Sequence, residues 1–393
     1  MTRYPQRLQK LLSERKENDT FRQLPSKNNL VDFSSNDYLG FSKSGKIFEN
    51  TLKLLAEDNI QSGSTGSRLL SGNHSLYDEV ERMLCGYHKT EAALVFNSGY
   101  DANIGFFSSV PQRGDFILYD EFIHASIRDG IKMSNAKAYK FKHNNIEDLL
   151  VHIERIRNAG NESNELYIVT ESVFSMDGDS PDLSTLVNIC KKNNCHLIVD
   201  EAHAVGVFGK NGEGLLQKMG IQDKVFARLI TFGKALGCHG AAVLGSNELK
   251  DYLVNFARSF IYTTALPPHS LATILSAYNE LYSISKEVRK SAESTNSLIK
   301  LKDNINHFKN ECKTLNLDQH FIESSSAIHC CIIPGNTRIK NIAKNLSDKG
   351  FDVKPILSPT VPRGEERLRF CLHSFNSEKE ISDVLAQLAT FVS

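Results

Sequence analysis

Between residues 92 and 245 the chain repeats one pattern, and that pattern constrains its fold more than anything else in it. Short apolar runs recur: "AALVFN", "DFILYD", "LYIVTES", "HLIVDEA", "RLITFG" and "GAAVLG". Most are separated by stretches of helical period, such as 145–157 and 182–194. Apolar runs of this length, bounded by polar or glycine residues and alternating with helices, predict a mainly parallel sheet covered on both faces. "HSLYDEVERMLCGY" predicts a helix before the first strand, and Leu8, Leu11 and Leu12 predict a short amphipathic helix near the N-terminus. From 269 to about 298 a long helical stretch leads away. Beyond it "AIHCCII", "FDVKPIL" and "RLRFCLH" alternate with helices at 337–349 and 377–391, a smaller α+β unit. The expected division is 1–50 as an N-terminal segment, 51–285 as a large α/β domain and 286–393 as the C-terminal α+β domain.

In open α/β sheets, ligands bind beyond the carboxyl ends of the strands. The residues there carry chemistry: Asn97-Ser98-Gly99-Tyr100, Glu171 through Gly178, Asp200-Glu201-Ala202-His203, and Phe232-Gly233-Lys234. A lysine directly after a buried strand has a lowered pKa if its pocket is apolar, and becomes a nucleophilic amine. Such an amine condenses with an aldehyde. Pyridoxal phosphate supplies one, and its ring nitrogen needs an acid, a place Asp200 fits. Its phosphate needs backbone N–H groups at a helix start, which Gly99 and Tyr100 offer, with the Thr231 hydroxyl near the lysine. Each signal alone has an ordinary reading. A lysine after a strand is usually at the surface, and an Asp there usually caps a helix. His124 and His203 would each more often be structural. Their shared place at strand ends gives the joint reading its weight.

Composition closes other routes. Lys+Arg and Asp+Glu both number 46 and cancel, so no basic field favours nucleic acid or an anionic membrane. "DEAH" (200–203) also occurs in nucleotide-driven helicases, but that reading requires G-x-x-x-x-G-K-[ST], and Gly233-Lys234 is followed by Ala235. The eight cysteines form no C-x-x-C pair, which argues against structural zinc and for reduced thiols. The opening "MTRYPQRLQKLLSERKEND" lacks a signal-peptide apolar core, and no run reaches membrane-spanning length, so a cytoplasmic location is expected.

From about residue 20 onward the chain resembles the α-oxoamine synthase family of fold-type I pyridoxal-phosphate enzymes. The motifs are "FSSNDYLGFS", "GSTGSRLLSGNH", "FNSGYDAN", "DEFIHASIRDG", "TESVFSMDGD", "VDEAHAVGVFG", "TFGKALGCHGAAVLG", "SFIYTTALPP" and "RLRFCLH". The resemblance implies an aspartate aminotransferase-like fold and a decarboxylative condensation of an amino acid with an acyl thioester. It implies Lys234 as the lysine joined to pyridoxal 5'-phosphate, Asp200 on the ring nitrogen, and His203 with Ser175 at the ring's phenolic oxygen. His124 stacks on the cofactor face, and Gly99, Tyr100 and Thr231 cradle the phosphate. Thr264 serves the phosphate of a neighbouring subunit, which implies a homodimer. Asn36, Arg22, Thr360 and Arg369 contact substrate, Arg369 as the carboxylate clamp. "SRLLSGNH" resembles the biotin-pathway branch, whose substrates are L-alanine and a pimeloyl thioester on coenzyme A or acyl carrier protein. Sister branches are glycine C-acetyltransferase, 5-aminolevulinate synthase and serine palmitoyltransferase, and one branch includes non-catalytic partner subunits that lack the lysine. Two positions depart from the usual pattern: Thr65 replaces a frequent glycine, and Tyr100 stands where phenylalanine is common.

Overall fold

The computed structural model describes residues 4–18, 20–24, 29–57, 61–161, 163–286 and 296–392. Seven strands make one sheet: β1 (Ala92–Phe96), β2 (Phe116–Asp120), β3 (Lys137–Phe141), β4 (Leu166–Glu171), β5 (His196–Asp200), β6 (Ala227–Thr231) and β7 (Ala241–Gly245). Their spatial order is β1-β7-β6-β5-β4-β2-β3. Strands β6 through β3 pair in parallel, while β7 runs antiparallel to both β6 and β1. The reversal of β7 follows from its connection. A parallel crossover needs a dozen or more residues, and only the loop Phe232–Gly240 joins β6 to β7.

Burial on both faces explains the apolar runs. Ile117, Val169 and Ile198 pack on one face with Phe106, Phe107 and Ile127. Leu118, Ile168 and Val199 pack on the other with Leu149, Ile153 and Leu186. Strand β3, "KAYKF", does not read as a strand because it lies at the sheet edge with Lys137, Tyr139 and Lys140 exposed, which breaks the apolar run.

A second, antiparallel sheet holds β8 (Ile328–Ile332), β9 (Lys354–Ile356) and β10 (Arg367–Cys371), in the order β9-β10-β8. Helices Asn336–Asp348 and Glu378–Val392 lie close to the expected spans. The helical stretch expected from 269 to 298 is in part a helix at Pro268–Ser285, and another helix, Ser297–Thr314, follows. Residues 287–295 of that span lie outside the described residues. Helix Gln6–Glu17 forms where the leucine spacing predicts, with Leu8, Leu11 and Leu12 all exposed.

The N-terminal segment is stitched to the C-terminal unit. Val31–Asp32 pairs in parallel with Phe351–Asp352, and Cys371 N–H donates to the Phe33 carbonyl at 2.8 Å. Phe33, Tyr38, Leu39 and Phe41 share one core with Leu236, Leu368 and Phe370, so residues far apart in sequence meet over the carboxyl edge of the large sheet.

Beside that edge lies a buried ion pair. Arg228 Nε donates to Glu201 Oε2 at 3.0 Å, both side chains almost wholly buried, and Glu201 Oε1 accepts from Leu215 and Leu216 N–H. Removing one partner leaves a buried charge unpaired, at a cost of about 3–5 kcal/mol. Glu201→Ala should therefore lose about that much stability in denaturant unfolding, and Glu201→Leu with Arg228→Met should lose less than either single change. A loss under about 1 kcal/mol for Glu201→Ala would mean the pair behaves like an exposed one.

Candidate active site

The carboxyl ends of β1, β4, β5 and β6 converge on a cavity of about 250 Å3, which the loop entering β7 completes. Lys234 stands in its wall on the Phe232–Gly240 loop. Three main-chain hydrogen bonds hold that loop: Phe232 N–H to Gly240 O, Cys238 N–H to Phe232 O, and Gly237 N–H to Lys234 O. Gly237 has φ +61°, and a Cβ there would lie 2.1 Å from Ser42 N, so glycine is required where the loop meets the N-terminal segment. Among the described residues the Lys234 amine makes no hydrogen bond or ion pair. Burial lowers its pKa from 10.5 to about 8, against the opposing pull of Asp200 and Glu171.

Two carboxyl groups face this amine, and their environments separate them. Asp200 is anchored at both oxygens: Oδ1 accepts from Ala202 N–H at 2.9 Å and Oδ2 from Asn103 Nδ2 at 3.1 Å. Glu171 is driven well above the usual carboxylate range by burial and then by the Asp200 charge. Its Oε1 accepts from the His124 N–H at 2.5 Å.

His124 caps the helix Ala125–Met133. Its Nδ1 accepts from Ser126 N–H at 3.2 Å and lies 2.8 Å from Ser126 Oγ. Ser126 Oγ accepts from Asn103 Nδ2 at 3.0 Å, and the same amide reaches Asp200. This chain fixes Nδ1 as an acceptor and leaves the ring proton on Nε2. Burial, and then the Lys234 charge, lower the His124 pKa against the pull of Asp200. His203 is kept neutral by burial and by Lys234 and Arg369, and its Nδ1 lies 2.8 Å from the Tyr38 hydroxyl.

The start of helix Gly99–Ser109 forms one end of the cavity. Ser98 Oγ caps it by accepting from Asp101 N–H. The first N–H groups of a helix have no intrahelical partner. A Cβ on Gly99 would lie 2.6 Å from Thr231 Cγ2, so helix and strand end approach as closely as glycine permits. The Thr231 hydroxyl is buried with no partner among the described residues. Free amides, an orphaned hydroxyl and a positive helix end are what a phosphate requires. With Lys234 and Asp200 in the same cavity, the donor set fits pyridoxal phosphate.

Arg369 lies behind this cavity. Nε donates to the Ser175 carbonyl at 2.7 Å, Nη1 to Cys371 Sγ at 2.9 Å and Nη2 to Asn36 Oδ1 at 3.0 Å. The Tyr38 hydroxyl is also 3.2 Å from Asn36 Oδ1, so Asn36 and Tyr38 tie Arg369 to His203. A second cavity of about 420 Å3 shares His124 with the first and includes Ser175 and Thr360. Of the expected residues, Asn36, Gly99, Tyr100, His124, Asp200, His203, Thr231 and Lys234 line the first cavity. Thr264 is exposed, its carbonyl accepting from Asn97 Nδ2 at 2.7 Å, and Arg22 is exposed and lines neither cavity.

Sequence reasoning missed Asn103, Ser126, His239 and the role of Tyr38. Asn103 is one helical turn past Gly99, a periodicity signal that could have found it. His239 had no such signal, because only the reversal of β7 brings its leading residues to this edge.

The chain matches the family Aminotransferase class I and II over residues 28–388. It is 39% identical over 382 residues to an 8-amino-7-oxononanoate synthase of Emericella nidulans, covering 94% of this chain and 90% of that protein. Its fold is similar to a serine palmitoyltransferase from S. paucimobilis with bound PLP, with TM-score 0.87, 25% identity and 99% and 98% of the two chains covered. It is also similar to an 8-amino-7-oxononanoate synthase from Francisella tularensis, with TM-score 0.75, 28% identity and 93% and 98% covered.

The Lys234 environment sets a pH test. In cofactor-free protein, labelling of Lys234 by an aldehyde should follow the unprotonated amine. It should rise with pH through a midpoint near about 8 and fall below it. A midpoint near 10.5, read by mass spectrometry of the labelled peptide, would mean that the pocket does not desolvate the amine.

Proposed function

The chain belongs to the α-oxoamine synthase branch of the class I and II aminotransferase family, enzymes that work with pyridoxal phosphate, and from that premise we propose that it condenses L-alanine with a pimeloyl thioester. The products are 8-amino-7-oxononanoate, carbon dioxide and the free thiol carrier, coenzyme A or acyl carrier protein, a step of biotin synthesis. The observation that carries this reading is the depressed amine of Lys234 in one cavity with Asp200 and the orphaned Thr231 hydroxyl.

Bound there, pyridoxal phosphate supplies an electron sink for negative charge at the amino acid's α-carbon. Gly99, Tyr100 and Thr231 hold its phosphate. Asp200, anchored by Asn103 and Ala202, keeps the ring nitrogen protonated. His203, with Ser175, would serve the phenolic oxygen, and His124, its proton on Nε2, would lie against the ring. Arg369 binds the carboxylate of L-alanine, a role for which its three fixed hydrogen bonds pre-orient it. Asn36 contacts the same end of the substrate. The unprotonated amine of Lys234 would take the α-proton as a general base, and a pKa of about 8 suits that task. Thr360, in the second cavity, and Arg22 contact substrate farther out.

We read the working unit as a homodimer in which the exposed Thr264 serves the neighbour's phosphate. Among the described residues no helix is long and apolar enough to cross a membrane, and the cysteines are free, which supports a cytoplasmic setting. The likeness to serine palmitoyltransferase favours a second reading, a sister α-oxoamine synthase acting on another amino acid and acyl chain. The 39% identity to the Emericella enzyme weighs for the first.

Release of free thiol from pimeloyl, acetyl, succinyl and palmitoyl thioesters, each with alanine, glycine and serine, separates these readings. Alanine with pimeloyl should give the highest kcat/KM, with glycine slower by about tenfold because one methyl in a pocket is worth only ~1–3 kcal/mol. Palmitoyl with serine winning would transfer the chain to the sister branch. Lys234→Ala should abolish both turnover and the yellow absorbance of the purified protein.

A further inference from the structure

We propose that Arg128 reads a free carboxylate at the far end of the acyl chain, so that the second cavity is the pocket of an ω-carboxyacyl thioester. This rests on the condensation proposed above and adds to it the residue that selects the acyl group. The second cavity is the larger of the two and meets the first at His124, so a chain lying in it has one end at the reacting centre. Phe122, Ile123, Met176, Val361 and two prolines give it an apolar lining suited to methylene groups.

Two guanidinium groups line that cavity, and only one is free to meet a ligand charge. Arg367 is almost wholly buried and spent: it pairs with Asp177 and Glu365, and Nη1 donates to the Met176 carbonyl at 3.2 Å. Arg128 is exposed and has no carboxylate partner among the described residues. Its hydrogen bond runs from Nη2 to the main-chain carbonyl of Glu121, which leaves most of its donor fork unused. The acids around it are engaged elsewhere. Glu121 pairs with Lys140, Asp129 with Lys132 and the Tyr100 hydroxyl, and Asp120 with His143.

The helix sets the spacing. Arg128 follows His124 by four positions, and its N–H donates to the His124 carbonyl at 3.2 Å, so both lie on one face. His124 stands at the junction of the cavities and Arg128 one turn further along the second. The wall at Phe122 is firm. Phe122 stacks on His143 at 4.5 Å, and both ring nitrogens of His143 are held by carboxylates, Asp120 and Asp179, each at 2.9 Å. An uncompensated guanidinium at the side of an apolar trough recognises a chain that is apolar along its length and anionic at its end.

The test compares holoenzyme of wild type, Arg128→Gln and Arg128→Lys on coenzyme A thioesters of pimelate, its methyl ester and heptanoate. All three share one carrier, so contacts to the carrier cancel. Wild type should favour pimeloyl over the other two by about tenfold to a hundredfold in kcat/KM. Arg128→Gln should bring that ratio to within about twofold, without changing heptanoyl turnover, the KM for L-alanine or the cofactor absorbance, and Arg128→Lys should keep part of the preference. Calorimetric binding of free pimelate against heptanoate to the holoenzyme should show the same loss. A preference that survives in Arg128→Gln overturns the assignment of Arg128 alone. Equal slowing of all three thioesters overturns it too, and would instead mark a contact to the carrier's phosphates. A wild type with no preference for pimeloyl overturns it together with the reaction proposed above.

Discussion

One partly buried amine beside two carboxyl groups is the constraint on which the rest of the site depends. Lys234 titrates near about 8 because desolvation outweighs the attraction of Asp200 and Glu171. The balance holds only if those two groups differ. Two close buried carboxylates resist ionising together. Asp200 accepts from Asn103 Nδ2 and the Ala202 amide, while Glu171 accepts from the His124 amide, a bond that burial and the Asp200 charge outweigh, so Glu171 is pushed towards its neutral form.

Neutrality spreads from that point. His124 and His203 both face a site that holds Lys234, and both have their pKa lowered by burial and nearby cations. Each has its orientation set by a hydroxyl, Ser126 for His124 and Tyr38 for His203. The Tyr38 hydroxyl, fully buried, also touches Asn36, which holds Arg369. Arg369 is thus linked to His203 through two side chains of the "SNDYLG" segment. That segment does no chemistry of its own, yet both ends of the site lean on it.

The two cavities differ in what builds them. The first is built from strand ends and carries Lys234, Asp200 and Glu171, with glycine where the helix starting at Gly99 approaches Thr231. The second lies between the 122–128 segment, the 175–177 loop and the turn at 359–362, with an apolar lining. His124 belongs to both, so the two meet at its ring.

Much of this was legible in the sequence. A strand buried on both faces must be apolar throughout, so the sheet announced itself, and polar residues at strand ends stood out as Lys234, Asp200, His203 and Gly99. Strand β3 did not, because an edge strand tolerates lysines and loses the signal. The sequence alone determined which strands exist and which of their ends carry reactive groups, since burial and local periodicity are properties of neighbouring residues. Only the tertiary structure decided what those groups meet. Strand order joined Asn103 to Asp200, the short loop after β6 reversed β7 and brought His239 to the cavity, and packing of residues 33–41 against β10 set Asn36 on Arg369. Such contacts depend on the order and direction of whole strands, which no local pattern of residues encodes.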